Sequence, residues 1–351
     1  KLGLNMSVWL VRAGSHGEYE QKFLQENRIY LTWDYLNSPL DKLPARDALI
    51  KTLSSLDTEA KPRKLVNHAS QIWPFAHDMQ VGDRIILPSK LQPVIYIGKI
   101  TSGYHHQADA ANPFYHWRSV EWLPDAVPRS HFSQDLLYSF GAFLTVCRIT
   151  RNNAEMRLAE MEKNGWKAES VKDLISHSNE SNELDATDEQ VDTDLEELGR
   201  SQIVKLIERK FKGHQLTRLV TAILQAQGYT CWQSPEGADG GVDILAGDGP
   251  MGFGNQRICV EVKSGDGLVD RPTVDKLMGA MTKFNATQGL FVAWGGYRSN
   301  VQKELASSFF RVRLWSQKEL LEQLFMVYEK LDDEIKADLP LMRIWTVAQP
   351  E

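Results

Sequence analysis

Cysteine is scarce in this chain, with three in 351 residues. Cys147, Cys231 and Cys259 are far apart, odd in number and never spaced as CxxC, which excludes a disulfide framework and a thiolate zinc site. They read as small buried hydrophobes. Long apolar runs are absent as well. No stretch of about eighteen apolar residues occurs, so nothing reads as a membrane span, and no membrane partner is expected. The opening KLGLNMSVWLVRAG lacks the apolar h-region of a secretory signal, and the expected location is cytoplasmic. His105 and His106 are adjacent but have no Cys or His cluster around them, and they read as loop residues.

An excess of positive charge is missing too, since the formal net charge is −6. That value argues against a nucleic-acid partner only until it is divided along the chain. Residues 1–150 carry sixteen basic and fourteen acidic side chains, 151–200 six and fourteen, and 201–351 eighteen of each. The surplus acid therefore sits in the middle. ELDATDEQVDTDLEE, residues 183–197, holds eight acids and no base, so it reads as a solvated spacer. The flanking halves remain free to offer local basic patches. Three segments follow: 1–150 as a first domain, 151–200 as a helical and acidic linker, and 201–351 as a second domain.

The first segment reads as α+β, with short strands and helical insertions. SVWLVRA and RIYLTWDYL have strand character, and EYEQKFLQEN between them is a short amphipathic helix. KLVNHASQIWPFAHDMQ is a helix interrupted at Pro74. VGDRIILPS and VIYIGKITSGY are strands joined by the polar turn KLQP, and HWRSVEWL and FLTVCRI supply two more. Short strands with long connections predict a small, partly open β-barrel. The order MQVGDRIILPS, VIYIGKITSGY, HWRSVEW resembles the PUA-like superfamily, particularly its EVE- and YTH-related members, over roughly residues 6–150. The resemblance implies a pocket where a flipped, modified base stacks on aromatic rings and is read along its polar edge. Trp9, Trp33, Trp73, Trp117 and Trp122 supply the rings, and a packed core position is the alternative for each. Trp33 beside Asp34, with Trp73 and Trp117, forms the expected base-binding set, and Asn67 and Ser70 are the expected edge contacts.

Beyond the spacer the pattern alternates between helix and strand. GRSQIVKLIERKF and GHQLTRLVTAILQAQ have helical spacing, with Gly228 as a stop signal. YTCWQS, VDILAG and RICVEVKS are strands, PTVDKLMGAMTKF a helix, GLFVAWGG a buried strand, SNVQKELASSF a helix, VRLWS a strand and SQKELLEQLFMVYEKL a closing helix. This order predicts an α/β domain with a mixed central sheet flanked by helices.

Side chains alternate across a strand, so in ICVEVKS Cys259, Glu261 and Lys263 share one face, opposite Ile258, Val260 and Val262. A hairpin through DGPMGFGNQ brings Asp243, in mid-strand, opposite Glu261. Two carboxylates and an ammonium then converge. Ionised groups buried without partners cost several kcal/mol each, and a divalent cation removes that cost. Asp243, Glu261 and the Val262 carbonyl are the hard oxygen donors Mg²⁺ prefers, with Mn²⁺ expected to substitute. Lys263 can orient or deprotonate a metal-bound water. The alternative is an ordinary Glu–Lys pair on a solvated strand face.

The arrangement of Asp243, Glu261 and Lys263 after an amphipathic helix and GYTCWQSPEGADGGVDI resembles the PD-(D/E)XK nucleases. More narrowly, AILQAQGY, GADGGVDILA, VEVKSG, VDKLMGAMTKFNATQGLFVAWGGY and VQKELA follow the order of Mrr-like restriction endonucleases over about residues 203–325. The resemblance implies that Asp243 and Glu261 bind metal and that Lys263 is the catalytic lysine. Many members carry a Glu in the first helix, whereas GHQLTRLV offers Gln215 and Thr217, so Gln215 is expected at most to bond a metal water. Asp239 serves the turn or the metal, and Gly240 and Gly241 allow tight reversal. Arg209, Lys210, Lys212 and Arg298 are expected on the DNA backbone, and Trp294 and Tyr297 near it. Arg311 and Arg313 point to one side of their strand.

Together these readings imply a Mg²⁺-dependent DNA endonuclease that restricts foreign DNA after its first domain recognises a modified base. Its partner is double-stranded DNA, and cutting both strands implies a homodimer or higher homo-oligomer. Two alternatives stay open: a nuclease fold that binds without cutting, and a nuclease directed at RNA.

Overall fold

VWLV at Val8–Val11 (β1) and RIILP at Arg84–Pro88 (β3) are buried at every position, which marks strands covered on both faces. The computed structural model describes residues 6–142, 144–168, 195–235, 237, 241–298, 301 and 308–344. They belong to two units, Lys1–Ser201 and Gln202–Glu351. In the first, β2 (Arg28–Leu31), β4 (Val94–Ile100), β5 (His105–His106), β6 (His116–Trp122), β7 (Val127–Pro128) and β8 (Val146–Arg148) complete a sheet. Its order is β2-β6-β4-β3-β1-β8, with β5 on β6 and β7 on β4. Neighbours are antiparallel except β1 and β3. The path ends at β2 and β8, so the expected small barrel is a half-barrel. His105 and His106, expected in a loop, form β5 by pairing with Trp117 and His116.

Alternation along β1 feeds two cores. Val8 and Leu10 join Ile86, Ile97, Phe132 and Leu136 on one face, while Trp9 and Val11 join Phe23, Ile29, Ile72 and Phe75 on the other. The Trp9 indole N–H donates to the Asp83 carboxylate at 2.8 Å, which also accepts from the main-chain N–H groups of Ser7 and Gln80. Gly98 pairs with Trp122, and a side chain there would run into Val120 and the Trp122 ring, so only glycine lets β4 and β6 close.

Helices α1 (Glu20–Gln25), α2 (Arg46–Leu56) and α3 (Pro62–His77) lie between β1 and β3 in sequence. The periodicity of the sequence did not reveal α2. Helix α3 runs through Pro74 to His77 without the expected interruption. The carbonyls of Phe75 and Ala76 in its last turn accept from the buried Arg118 guanidinium, at 2.7 and 3.1 Å. A cation there satisfies carbonyls that have no partner within the helix. Helices α4 (Gln134–Phe140) and α5 (Ala154–Lys163) also belong to this unit. Leu158 and Met161 pack with Phe132, while Arg157 bonds Asp135 and Glu162 bonds Arg84. Thus Ala154–Lys163, expected within the linker, is built into the half-barrel unit. Residues 169–194 lie outside the described residues, and with them most of the acidic run. Leu195 to Glu197, its last three residues, open a helix.

That helix, α6 (Leu195–Lys210), leads into α7 (His214–Ala226) and strands β9 (Thr230–Gln233), β10 (Ile244–Gly247) and β11 (Arg257–Lys263). Then come α8 (Arg271–Lys283), β12 (Gln288–Ala293), β13 (Val312–Trp315), α9 (Gln317–Val327) and α10 (Asp333–Asp338). The sheet order is β13-β12-β11-β10-β9, antiparallel from β9 to β11 and parallel from β11 to β13. Gly228, at φ +100°, ends α7 as expected. Two cores cover the sheet. Val260, Val262, Leu290 and Val292 face α7 and α9 through Leu219, Ile223, Leu320 and Leu324, and Cys259, Phe291 and Ala293 face α8 through Val274, Leu277 and Met281. The mixed α/β sheet flanked by helices is therefore present. Residues 299–300 and 302–307, expected as helix, lie outside the described residues, as do Asp239 and Gly240.

Candidate active site

The alternation of β11 fixes the site. Val260 and Val262 enter one core and Cys259 the other, so Glu261 and Lys263 stand on the α8 face. Regular pairing of β10 starts at Ile244 opposite Val260, and Asp243 is therefore the residue just before the strand rather than in its middle. Its main-chain N–H still donates to the Val260 carbonyl at 2.8 Å. Its carboxylate Oδ2 accepts the Val262 N–H at 2.7 Å, which anchors the Asp243 side chain against β11.

Glu261 Oε1 lies 2.6 Å from Lys263 Nζ. The pair is only partly wet, with Lys263 48% and Glu261 21% exposed. Burial raises the pKa of Glu261 and the nearby Asp243 charge raises it further, while the hydrogen bond and charge of Lys263, and the charge of Lys276 on α8, oppose the rise. Two carboxylates and two ammonium groups thus act on one spot. Among the described residues no three of His, Cys, Asp or Glu gather as a metal site, so a cation held here rests on two carboxylates with main-chain and water oxygens. That all-oxygen donor set fits Mg²⁺.

The other expected residues divide. Gln215 is exposed and its Oε1 accepts from Arg218 at 3.4 Å, a guanidinium that also pairs with Asp338 on α10. Thr217 is buried. Arg209, Lys210, Lys212 and Arg298 are exposed, but Trp294 and Tyr297 are core residues, the Tyr297 hydroxyl donating to the Phe291 carbonyl at 2.6 Å. Two residues beside the site escaped the sequence reading. Lys276 reaches Glu261 only through the packing of α8. Glu208 on α6 accepts the Trp294 indole N–H at 3.2 Å, and the Trp294 main-chain N–H donates to the Lys263 carbonyl at 2.8 Å. Burial raises the Glu208 pKa, and Asp266 adds to the rise. An acid in the basic stretch ERKFK was the available signal.

In the first unit, the rings expected around one base have separate partners. Trp33 meets His68 edge-on, its indole N–H donating to Nδ1 at 3.2 Å. That bond needs a neutral imidazole, and burial, with Lys64 nearby, lowers the His68 pKa accordingly. Trp73 stacks on His77 at 3.7 Å. Trp117 has the Arg28 guanidinium 3.7 Å and the His105 ring 4.1 Å from its centre. Two planar groups that close to one ring centre cannot share a face, so both faces of Trp117 are covered and a base stacks there only by displacing one of them. Asp34 Oδ1 accepts from Asn112 at 3.0 Å. Asn67 and Ser70 bond within α3, Ser70 Oγ donating to the Asn67 carbonyl and Asn67 Oδ1 accepting from Gln71. Of Trp33, Trp73 and Trp117, Trp33 is the one with no stacked ring or guanidinium among the described residues.

Residues 208–324 match the restriction endonuclease family model Mrr_cat. The matched segment contains Asp243, Glu261 and Lys263. Residues 9–136 match a domain of unknown function, DUF8426. No curated protein matches the chain. Among solved structures it is similar to the DNA modification-dependent restriction endonuclease AspBHI, at 12% identity over 89% of this chain and 78% of that one, TM-score 0.33. It is also similar to the MspJI restriction endonuclease in complex with a 27-mer oligonucleotide, at 11% identity over 97% and 71%, TM-score 0.31. A third is a protein of unknown function, AF1548, at 14% identity over 35% and 77%, TM-score 0.25. None of these overlaps is close enough to fix a fold. No helix among the described residues is long and apolar enough to cross a membrane.

Proposed function

We propose that this chain is a divalent-metal-dependent DNA endonuclease that restricts foreign DNA, its half-barrel unit reading a modified base in the manner of a PUA-like domain. One observation carries the reading: Asp243, Glu261 and Lys263 meet at the junction of β10 and β11, inside the segment that matches a restriction endonuclease family. Asp243, Glu261 and the Val262 carbonyl would hold Mg²⁺ or Mn²⁺. When bound, such an ion supplies Lewis acidity to the phosphodiester and acidity to its own water. As a cation, Lys263 opposes the rise in the Glu261 pKa and presents positive charge where the scissile phosphate must lie. In the alternative role, with its proton given up, it would act as base to the attacking water. Lys276 adds charge on the α8 side. Arg209, Lys210, Lys212 and Arg298 would contact the backbone without choosing a sequence, and choice would fall to the first unit, centred on Trp33. Two strands require two such sites, hence a homodimer or larger assembly on double-stranded DNA.

The test is incubation of the full chain with plasmid from modifying and non-modifying hosts, and with RNA, in Mg²⁺ or in EDTA. Cutting of modified plasmid alone, abolished by EDTA and restored by Mg²⁺ or Mn²⁺, is the expected result. Cutting of RNA, or binding without cutting under every condition, overturns it.

A further inference from the structure

Among the described residues, the sheet face that carries Glu261 and Lys263 is covered unevenly. Directly paired residues stand on the same side of a sheet, and Trp232 pairs with Leu245, which pairs with Cys259. Trp232 is thus on the same face as Glu261 and Lys263. Over β11 and β12 that face is sealed by α8. Cys259 and Phe291 are fully buried there, and a Cβ on Gly289, the partner of Cys259, would come within 2.8 Å of Met281 and 3.2 Å of Leu277. Over β10 the cover thins at Leu245, which is only partly buried, and returns at the far end of the pair, where a Cβ on Gly247 would come within 2.2 Å of the Gly252 carbonyl. On β9 Trp232 is 53% exposed.

Asp243 precedes Leu245 by two residues, so Trp232 is its diagonal neighbour across the β9–β10 pair, at a typical separation of ~7 Å. A large indole left in water on an edge strand is a liability for aggregation unless something covers it in use. On the nuclease reading, a phosphodiester held by Asp243 and Glu261 is blocked by α8 on the β11–β12 side, which leaves the side of β10 and β9 open to its chain.

Building on the nuclease reading, we propose that the strand being cut crosses the β9–β10 face at Leu245 and Trp232, with the Trp232 indole packed on the sugar and base of the nucleotide next to the scissile phosphate. Such packing tolerates any base, as suits a cutting unit that leaves sequence choice elsewhere.

Binding is measured without cutting in the Lys263→Ala background, by fluorescence anisotropy of a short labelled DNA added to the full chain. Adding Trp232→Ala should weaken Kd by about 5- to 100-fold, the range a lost aromatic–base stack produces. Trp232→Phe should recover most of that loss. With Lys263 intact, Trp232→Ala should raise KM more than it lowers kcat, and the melting temperature should stay near that of the parent because the side chain is exposed. If the parent cuts DNA and Trp232→Ala binds and cuts as the parent does, this inference alone fails. A parent that cuts no DNA overturns the nuclease reading together with it. Trp232→Ala changing sedimentation but not DNA affinity would instead identify the face as a contact between copies of the chain, and overturn the proposal.

Discussion

Replacing Lys263 by alanine separates the two roles open to the Lys263–Glu261 pair. If the pair is merely structural, its worth is bounded by its exposure. An ion pair with one partner half exposed contributes about 0–1 kcal/mol once screening and side-chain entropy are counted. For a unit running from Gln202 to Glu351, a loss of that size lowers the melting temperature by at most about 2–4 °C. If Lys263 acts on the attacking water or on the charge of the transition state, its removal costs roughly 10²- to 10⁴-fold in rate, about 3–5 kcal/mol of barrier. The two effects differ several-fold in free energy and are read on the same samples, by single-turnover plasmid cleavage and by thermal melting. The expected outcome is a cleavage rate down at least 100-fold with a melt lowered by no more than about 4 °C. Lys263→Arg refines the result. Arginine keeps the charge but does not give up a proton at neutral pH, so it should rescue charge stabilisation and fail at proton transfer. Parental cutting by Lys263→Ala refutes the site outright. A melt lowered by ten degrees or more would show that the lysine holds the fold, and the rate loss would then say nothing about catalysis.

Three further outcomes follow from particular contacts. Asp243→Asn should abolish cutting yet melt like the parent, because the amide oxygen can still accept the Val262 N–H, whereas Asp243→Ala should lose about 1 kcal/mol more in urea unfolding; equal stability of the two variants would contradict the bond. In the half-barrel, Glu20 is 3% exposed, and its burial raises its pKa against the opposing bonds from Ser89, Lys90 and Tyr96. The folded state then binds the proton more tightly than the unfolded chain, so Glu20 costs stability as pH rises above 4.5 and none once both states are protonated below it. Glu20→Gln should therefore melt higher than the parent at pH 7 and converge with it near pH 4.5, and a constant gap across that range would exclude the linkage. Finally, Trp33→Ala should erase any preference for modified over unmodified DNA in a binding titration, while Trp117→Ala should lower the melting temperature with the preference kept, since its faces are already occupied by Arg28 and His105. The opposite pattern would move the pocket to Trp117.

What could be read from the sequence depended on how local the physics is. The strands VWLV, RIILP and RICVEVK and helix α7 are recognisable because their apolar period is contained in a few residues. Strand alternation alone puts Glu261 and Lys263 on one face. A short hairpin leaves few registers, which brings Asp243 to β11 but not into the middle of β10. The aromatic set could not be read in this way, because Trp117 owes its covered faces to Arg28 and His105, on strands distant in the chain or too short to show a period. Trp294 and Tyr297 follow a strand in a sequence rich in glycine, which reads as surface, yet both are buried. Helix α2, RDALIKTLSSL, is polar over most of its surface and keeps only Leu49 and Leu53 buried, too few to mark it. Lys276 and Glu208 approach the site by tertiary packing, which no spacing records.

The two side chains proposed to react, Glu261 and Lys263, stand on β11, which is flanked on one side by an antiparallel neighbour and on the other by a parallel one. Such a strand has no free edge and little room to flex, so on the proposed reading the cutting pair is rigidly held and target choice is left to the other half; exchanging half-barrels between relatives is then expected to redirect cutting with the chemistry intact.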